Sequence, residues 1–331
     1  MINSCVVGLG AVGPIHARAA GDKLSAVCDV DKRRADCYAK KYNVTAYYDY
    51  ESVLADERIN TVHICTPHYL HKSMALAALA AGKNIVLEKP VGISLEEIDE
   101  LERVYRKSDK KVCIMLQNRT NNSVAEMKRI IDEDETLGKM RGIAAFMTWH
   151  RDEAYYASAD WRGKWATEGG ALLINQAIHI IDLLDWLGGG IAAVKSGISN
   201  KATPSIETED TAEAVFEMKN GCRGVFYATN TFGADMPFRV EAVFENAVLR
   251  YADGHLYRIG KDVEIVTNDS KNIAGKECWG DGHSRVISKF YNAVESGTDD
   301  YMDLLSGLHS AKVMLSMYKN GLEKDGDWIK I

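Results

Sequence analysis

The chain lacks any apolar run that reaches the roughly 20 positions a membrane helix needs; polar or charged residues interrupt every long hydrophobic stretch. It lacks an opening basic segment followed by an apolar core and a small-residue cleavage site, since Met1 to Val7 runs straight into a strand and a glycine turn. These absences argue against a membrane span and against secretion, and the expected location is cytoplasmic. Lysine and arginine form no basic stripe and the formal net charge is -7, which argues against nucleic acid or an anionic membrane as partner. The 7 cysteines include no Cys-x-x-Cys pair, and Cys5, Cys28, Cys65 and Cys113 each sit in an apolar strand-like run where a reduced thiol acts as a small hydrophobe. Neither a disulfide framework nor a zinc knuckle is indicated. The 9 histidines form no His-Glu-x-x-His cluster, and His68-x-x-His71 has no further ligands close in sequence, so no metal is expected. A Gly-x-Ser-x-Gly elbow, a Walker loop, internal repeats, low-complexity tracts and flexible linkers are also missing.

At 331 residues, with 46% apolar and 26% charged side chains, the chain is an ordinary globular sequence too long for one core. From Ser4 to Leu116, short continuous apolar runs alternate with amphipathic segments, the pattern of parallel strands buried on both faces. Cys5–Val7, Leu24–Cys28, Val62–Cys65, Ile85–Leu87 and Val112–Leu116 read as strands. Met74–Ala81 reads as a helix ended by Gly82. Ser94 to Glu97 is a capping box that opens a helix with Ile98, Leu101 and Tyr105 on one face. The expected fold class is therefore an α/β Rossmann domain over residues 1–120. A second, α+β domain follows over 121–331, with helices near 123–135 and 171–187 flanking the strand Arg141–Trp149. Asn220-Gly221, between Ala212–Met218 and Cys222–Thr229, predicts a type I′ hairpin, and Asp253-Gly254 marks another turn, so an antiparallel sheet is expected. Two helices, near 281–295 and 303–323, close the chain, and the last is expected to pack back toward the N-terminal domain.

Gly8-Leu9-Gly10-Ala11-Val12-Gly13 follows the first strand and opens a helix, the context that turns a glycine fingerprint into a dinucleotide site rather than a plain structural turn. The first glycine permits the tight turn, the second lets the backbone approach a pyrophosphate, and the third lets helix and strand pack closely. Asp29 ends the second strand, where its carboxylate would accept from ribose hydroxyls and repel a 2′-phosphate, favouring NAD over NADP. Lys32, Arg33 and Arg34 could hold such a phosphate, but a solvated helix start explains that run better. Thr66-Pro67 to His71 and Glu88-Lys89-Pro90 follow further strands, at the sheet edge where open α/β sheets place ligands; alone, the Glu88-Lys89 pair also reads as a surface turn. On the apolar segment after Gly169-Gly170, Asn175, His179 and Asp182 fall at i, i+4 and i+7 and make one polar stripe, which favours a cleft-facing site over a merely hydrogen-bonded core histidine. Trp149, His150, Tyr155 and Tyr156 could line a sugar pocket, or form an exposed loop or subunit contact. His283 either reaches the site or caps its helix.

Taken in order over nearly the whole chain, several motifs resemble the Gfo/Idh/MocA family of oxidoreductases. They are Gly8-x-Gly10-x-x-Gly13-x-x-His16, Thr66-Pro67 to His71, Glu88-Lys89-Pro90, Gln117-Asn118-Arg119, Trp161-Arg162 and Gly169-Gly170 to His179, with Trp279 to His283 and the final helix also fitting. The resemblance implies an open, mostly antiparallel sheet in the second domain and an active site between the domains. It implies that Lys89 hydrogen-bonds the reacting oxygen and that His179 serves as general acid and base beside the nicotinamide, which suits an imidazole near neutrality and an ammonium beside a developing alkoxide. Asn175 stands where the family commonly has an aspartate; it is the third catalytic candidate, for a substrate hydroxyl, while Asp182 is either structural or a substitute partner for His179. Beside the glycine loop, with Ala11 and Val12, the cofactor-binding candidates are Asp29, Thr66, Pro67, His71, Glu88 and Lys89. Asn118, Trp161 and Arg162 complete them.

The function these readings imply is hydride transfer between NAD(H) and a secondary alcohol carbon of a sugar, cyclitol, sugar acid or nucleotide or amino sugar. The alternatives are an NAD-retaining redox glycosidase or epimerase acting through a transient keto-sugar, and a non-catalytic dinucleotide sensor, which the presence of both Lys89 and His179 disfavours. A homodimer or homotetramer formed through the C-terminal sheet is expected.

Overall fold

The computed structural model describes residues 1–269, 281–323 and 326–331, so Trp279 and Gly280 of the C-terminal motif lie outside the described residues. The first part of the chain runs β1 (Ser4–Val7), α1 (Gly13–Ala20), β2 (Leu24–Cys28), α2 (Lys32–Tyr42), β3 (Thr45–Tyr47), α3 (Tyr50–Ala55), β4 (Thr61–Ile64), α4 (His71–Ala80), β5 (Asn84–Leu87), α5 (Leu95–Tyr105) and β6 (Val112–Ile114). All pairings among these strands are parallel, in the order β3-β2-β1-β4-β5-β6, the doubly wound arrangement whose ligands sit outside the strand carboxyl ends. β1 and β4 are buried at every position, as strands covered on both faces must be. Ser94 Oγ accepts from the Glu97 N–H at 3.2 Å, while the Glu97 carboxylate reaches back to the Ile93 N–H at 2.8 Å. From that cap α5 buries Ile98, Leu101 and Tyr105, the face its spacing marks.

The chain continues through α6 (Asn122–Glu133), β7 (Met140–Thr148), α7 (Glu153–Ala157), a π-helical turn (Leu172–Ala177), α8 (Ile178–Leu187), β8 (Ile191–Ser199), β9 (Thr211–Met218), β10 (Arg223–Thr229), β11 (Arg239–Phe244), β12 (Val248–Ala252), β13 (His255–Ile259) and β14 (Val263–Asn268). α9 (Gly282–Ser296), α10 (Leu304–Leu322) and β15 (Ile329–Lys330) close it. Nine strands form one sheet in the order β14-β13-β12-β11-β7-β10-β9-β8-β15, antiparallel except where β10 lies parallel to β7. Along β9, Ala212, Ala214, Phe216 and Met218 are buried and the residues between them are not, and α8 packs against β7 and β11.

The two hairpins differ from each other in an instructive way. Asp253 and Gly254 both have positive φ, 53° and 71°, and join the paired residues Ala252 and His255 in the type I′ geometry. At Asn220-Gly221 only Gly221 is positive, at 86°. The Gly221 N–H donates to the Met218 carbonyl at 2.9 Å and the Met218 N–H to the Cys222 carbonyl at 3.0 Å. The expected type I′ turn is thus a three-residue loop, a type I turn closed by a glycine bulge, because Lys219 adds one residue to the connection.

The chain divides into two compact units. The first contains Met1–Gln117 and Asp281–Leu308; the second contains residues 118–269 and the chain from His309 onward. Helix α9 therefore groups with the parallel sheet, whereas the sequence reading placed everything after residue 120 in one domain. In the first unit Val286, Ile287, Phe290 and Tyr291 of α9 join the core around Val6, Val27 and Ala17. No described helix is long and apolar enough to cross a membrane.

Candidate active site

In the first unit the glycine loop has the geometry its spacing calls for. Gly8 has φ +87°, and a Cβ there would lie 2.7 Å from the Cys65 carbonyl oxygen, so the turn closes only on glycine. At Gly13 a Cβ would meet the Gly8 carbonyl oxygen at 2.0 Å, which is the close helix-to-strand approach. Around Gly10 nothing lies within 4 Å of an added Cβ, leaving the open cradle that a pyrophosphate needs beside the start of α1. Ala11 and Val12 complete the loop, and the Val12 carbonyl accepts the first helical N–H groups, from Ile15 and His16. Asp29, 6% exposed, accepts from the Leu9 N–H at 2.8 Å, the Asp31 N–H at 2.9 Å and Arg34 Nη1 at 3.2 Å. It braces the loop from beneath, and one of about four carboxylate acceptor positions stays available for a ribose hydroxyl. These residues fit a dinucleotide.

The ends of β4 and β5 are tied by His71, which is 1% exposed. Its Nδ1 lies 2.7 Å from the Pro90 carbonyl and its Nε2 2.8 Å from the Thr66 carbonyl. Burial pulls this imidazole below its usual range while both carbonyl bonds favour the charged ring. Thr66, Pro67 and Lys89 are half-buried beside it, and the Lys89–Pro90 peptide is cis. Glu88 points the other way. Its carboxylate is buried, 2.9 Å from His16 Nε2 and 3.6 Å from His283 Nε2. Burial opposes its ionisation, but the hydrogen bonds from His16 and His283 prevail and hold it well below the usual carboxylate range. His283 thus faces Glu88 from the first turn of α9 instead of solvent. His16, Glu88 and His283 place three ligand-type atoms within 4.8 Å of one another, a grouping that spacing in sequence does not reveal.

The second unit assembles a different set. Gly170 has φ +146° and its Cβ would lie 1.9 Å from Tyr318 Oη, so only glycine passes there. Glu209 clamps the start of the π-helical turn, accepting from the Leu173 N–H at 2.8 Å, the Ala171 N–H at 3.2 Å and the Tyr318 hydroxyl at 2.6 Å. Burial pushes its carboxyl up to about 7, against the pull of those donors. Asn175 donates through Nδ2 to Glu168 Oε1 at 2.6 Å and to Tyr155 Oη at 3.2 Å. Gln176 Nε2 and Arg162 Nη1 also donate to Tyr155 Oη, at 2.8 and 2.6 Å, and the Arg162 guanidinium lies 4.4 Å from the Tyr155 ring and 4.7 Å from Trp161. This explains the amide at 175. An aspartate would set a second carboxylate against Glu168, whereas the amide donates to it.

His179 is half-buried in the first turn of α8. The π-helical turn before it breaks the 3.6-residue register on which the Asn175, His179, Asp182 stripe depends. Asp182, on α8 with His179, accepts from Arg119 Nε at 2.8 Å and Nη2 at 2.5 Å and from Ser310 Oγ at 2.8 Å, so of its two sequence readings the structural one applies. Asn118 is buried at 4% exposure. Trp149 and His150 are tied to the loop between β10 and β11, through Trp149 Nε1 to the Met236 carbonyl at 2.9 Å and His150 Nδ1 to the Phe232 carbonyl at 2.8 Å. Sequence reasoning missed Glu168, Gln176 and Glu209, for which no local pattern exists.

A parallel sheet in this strand order with a glycine loop after β1 defines a dinucleotide-binding Rossmann fold. Residues 2–116 match the oxidoreductase family with an NAD-binding Rossmann fold, and residues 124–250 match the GFO/IDH/MocA C-terminal domain; the chain belongs to this family. It is 27% identical over 211 residues to pig trans-1,2-dihydrobenzene-1,2-diol dehydrogenase, an overlap of 63% of this chain and 60% of that enzyme. It is 28% identical over 253 residues to scyllo-inositol 2-dehydrogenase (NAD(+)) of Bacillus subtilis, covering 73% of this chain and 71% of that one. The WlbA dehydrogenase of Bordetella pertussis, solved with NADH and UDP-GlcNAcA, superposes with a TM-score of 0.86 at 25% identity, over 100% of this chain and 98% of that one.

Proposed function

We propose that this protein is an NAD(H)-dependent dehydrogenase acting on a secondary alcohol of a sugar, cyclitol, sugar acid or nucleotide or amino sugar, with Asp29 favouring NAD over NADP. The observation that carries the reading is the glycine loop with its open cradle at Gly10, on the same sheet edge as the turn bearing Lys89. NAD supplies the hydride acceptor when bound. The Lys89 ammonium stabilises the alkoxide that develops as hydride leaves, and the His179 imidazole takes the hydroxyl proton. Asn175, held by Glu168 and Tyr155, binds a substrate hydroxyl. The substrate classes named for the relatives support a polyol as substrate for this chain. The test follows absorbance of the reduced nicotinamide with NAD across free sugars, inositols, uronates and nucleotide sugars. Stoichiometric NADH production with a member of that panel is the expected result; silence across the panel with NAD retained through purification would favour the epimerase or redox glycosidase chemistry.

We propose further that the outer face of the nine-stranded sheet carries a homodimer or homotetramer contact. Val215 and Val225 are cross-strand partners there, 41% and 44% exposed, with Tyr227 and Val243 nearby in the same register. Sedimentation of the wild type against Val225→Lys tests this, since a monomeric wild type would remove the contact.

A further inference from the structure

Beneath the turn that bears Lys89, five buried side chains of the first unit make one line of hydrogen bonds whose directions can be assigned in turn. Ser4 Oγ donates to the Lys23 carbonyl at 2.9 Å, and Tyr291 Oη donates to Ser4 Oγ at 3.0 Å. Each hydroxyl has a single proton, so Tyr291 Oη must accept from His63 Nε2, 2.7 Å away. Burial pulls both imidazoles below their usual range, His63 the further, whereas the hydrogen bond and charge of Glu88 pull His16 back up; His63 is therefore the neutral ring of the two, and its Nδ1 is a bare acceptor. His16 Nδ1, 3.0 Å from that atom, has to be the donor. At the far side of the same ring, His16 Nε2 lies 2.9 Å from Glu88 Oε1. A neutral His16 would oppose a nitrogen lone pair to a carboxylate oxygen there, in a core where an unmade hydrogen bond is costly.

We propose that His16 and Glu88 hold one further proton between them as a buried imidazolium–carboxylate pair. Together they are positioning residues that tie α1, three residues past the last glycine of the loop, to the turn that presents Lys89. Glu88 is anchored at both ends, because its N–H also donates to the Ile64 carbonyl at 3.1 Å, and the adjoining Lys89 inherits that placement. His16 and Glu88 come from elements 72 residues apart, so the link joins the dinucleotide loop to the β5 end of the sheet. The other titratable groups around the pair are His283 and Tyr291 on α9, His63 on β4, Cys65, His71 on α4 and Lys89 itself. The pair stands apart from the choice of alcohol substrate, so its failure and the failure of the proposed activity are distinguishable.

The experiment is nitrogen-15 NMR of the histidine rings in the full chain at pH 7, with His16 and His63 assigned through single variants. His16 is expected to carry protons on both ring nitrogens and His63 only on Nε2. In Glu88→Gln the amide can donate to a neutral His16, so the fold and the Lys89 Nζ signal should persist while His16 loses its second proton; Glu88→Ala should displace the Lys89 signal. Saturating NADH should shift the His16 ring resonances of the wild type. A singly protonated His16, or one equivalent of bound zinc in place of the proton, would overturn the pair. A His16 signal blind to NADH, or a Lys89 signal equally unmoved in the alanine and glutamine variants, would overturn the positioning role.

Discussion

Replacing Gly10 by alanine should separate dinucleotide affinity from stability. An added Cβ there meets nothing within 4 Å, and Gly10 is not among the positive-φ glycines, so the folded protein accepts the methyl without strain. Restricting the unfolded chain should then leave stability unchanged or raise it by about 0.4–1 kcal/mol. The same methyl intrudes on the face a pyrophosphate occupies. Overpacking of that size costs about 1–3 kcal/mol, and a central value of about 2 kcal/mol corresponds to roughly 30-fold weaker NADH binding. Gly13→Ala is the contrasting case. Its Cβ would sit 2.0 Å from a backbone oxygen that has no flexible end to give way, so the cost falls on folding, by about 3 kcal/mol or more. The assay is NADH titration by fluorescence beside a thermal melt for each variant. Gly10→Ala binding NADH as tightly as the parent would refute the assignment of that face to the cofactor, and a wild-type melt for Gly13→Ala would refute the packing argument.

Lys89→Ala is expected to bind NADH within about threefold of the parent while hydride transfer to the alcohol found in the panel falls by about 10²–10³-fold, since one stabiliser of developing oxygen charge is removed; unchanged turnover would take Lys89 out of the mechanism. Asp29→Ala should weaken NADH binding and narrow the preference for NAD over NADP, measured as the ratio of the two affinities, and equal use of both by the parent would contradict the role of Asp29. Asp182→Ala strands the buried Arg119 charge and should cost about 3–5 kcal/mol in urea unfolding, with NADH affinity retained; a loss under about 1 kcal/mol would show that the pair adds little. The Glu209 carboxyl is raised to about 7 by burial, above an unfolded value of about 4.3, so the folded state holds its proton more tightly. That stabilisation is complete below the unfolded value and is lost as pH climbs through about 7. Melting midpoints should therefore decline over that interval in the parent and stay flatter in Glu209→Gln, and parallel curves for the two would count against the shift.

Much of the first unit was legible in the linear order of residues because its signals are local. A glycine loop, a strand buried on both faces and the capping box at Ser94 each depend on neighbours within a few positions, and each forms where its pattern lies. The Asp253-Gly254 turn was readable for the same reason, while Asn220-Gly221 misled because one extra loop residue changes which turn closes the hairpin. The polar stripe through Asn175, His179 and Asp182 keeps its spacing from His179 to Asp182, both on α8, but not from Asn175 to His179. It presumes 3.6 residues per turn, and the π-helical turn at 172–177 departs from that.

Spacing and residue type by themselves determined the class of this protein: a dinucleotide loop, a following acidic residue and a polar turn at successive strand ends, all stated within short stretches of chain. Only the tertiary structure decided what each polar side chain answers to. Glu88 turns to His16 and His283, Asp182 to Arg119, Asn175 to Glu168 and Tyr155, and Glu209 to the turn before His179. A buried charge or amide must find its partner wherever folding brings one, and for most of these the partner is tens of residues away, beyond what any local pattern records.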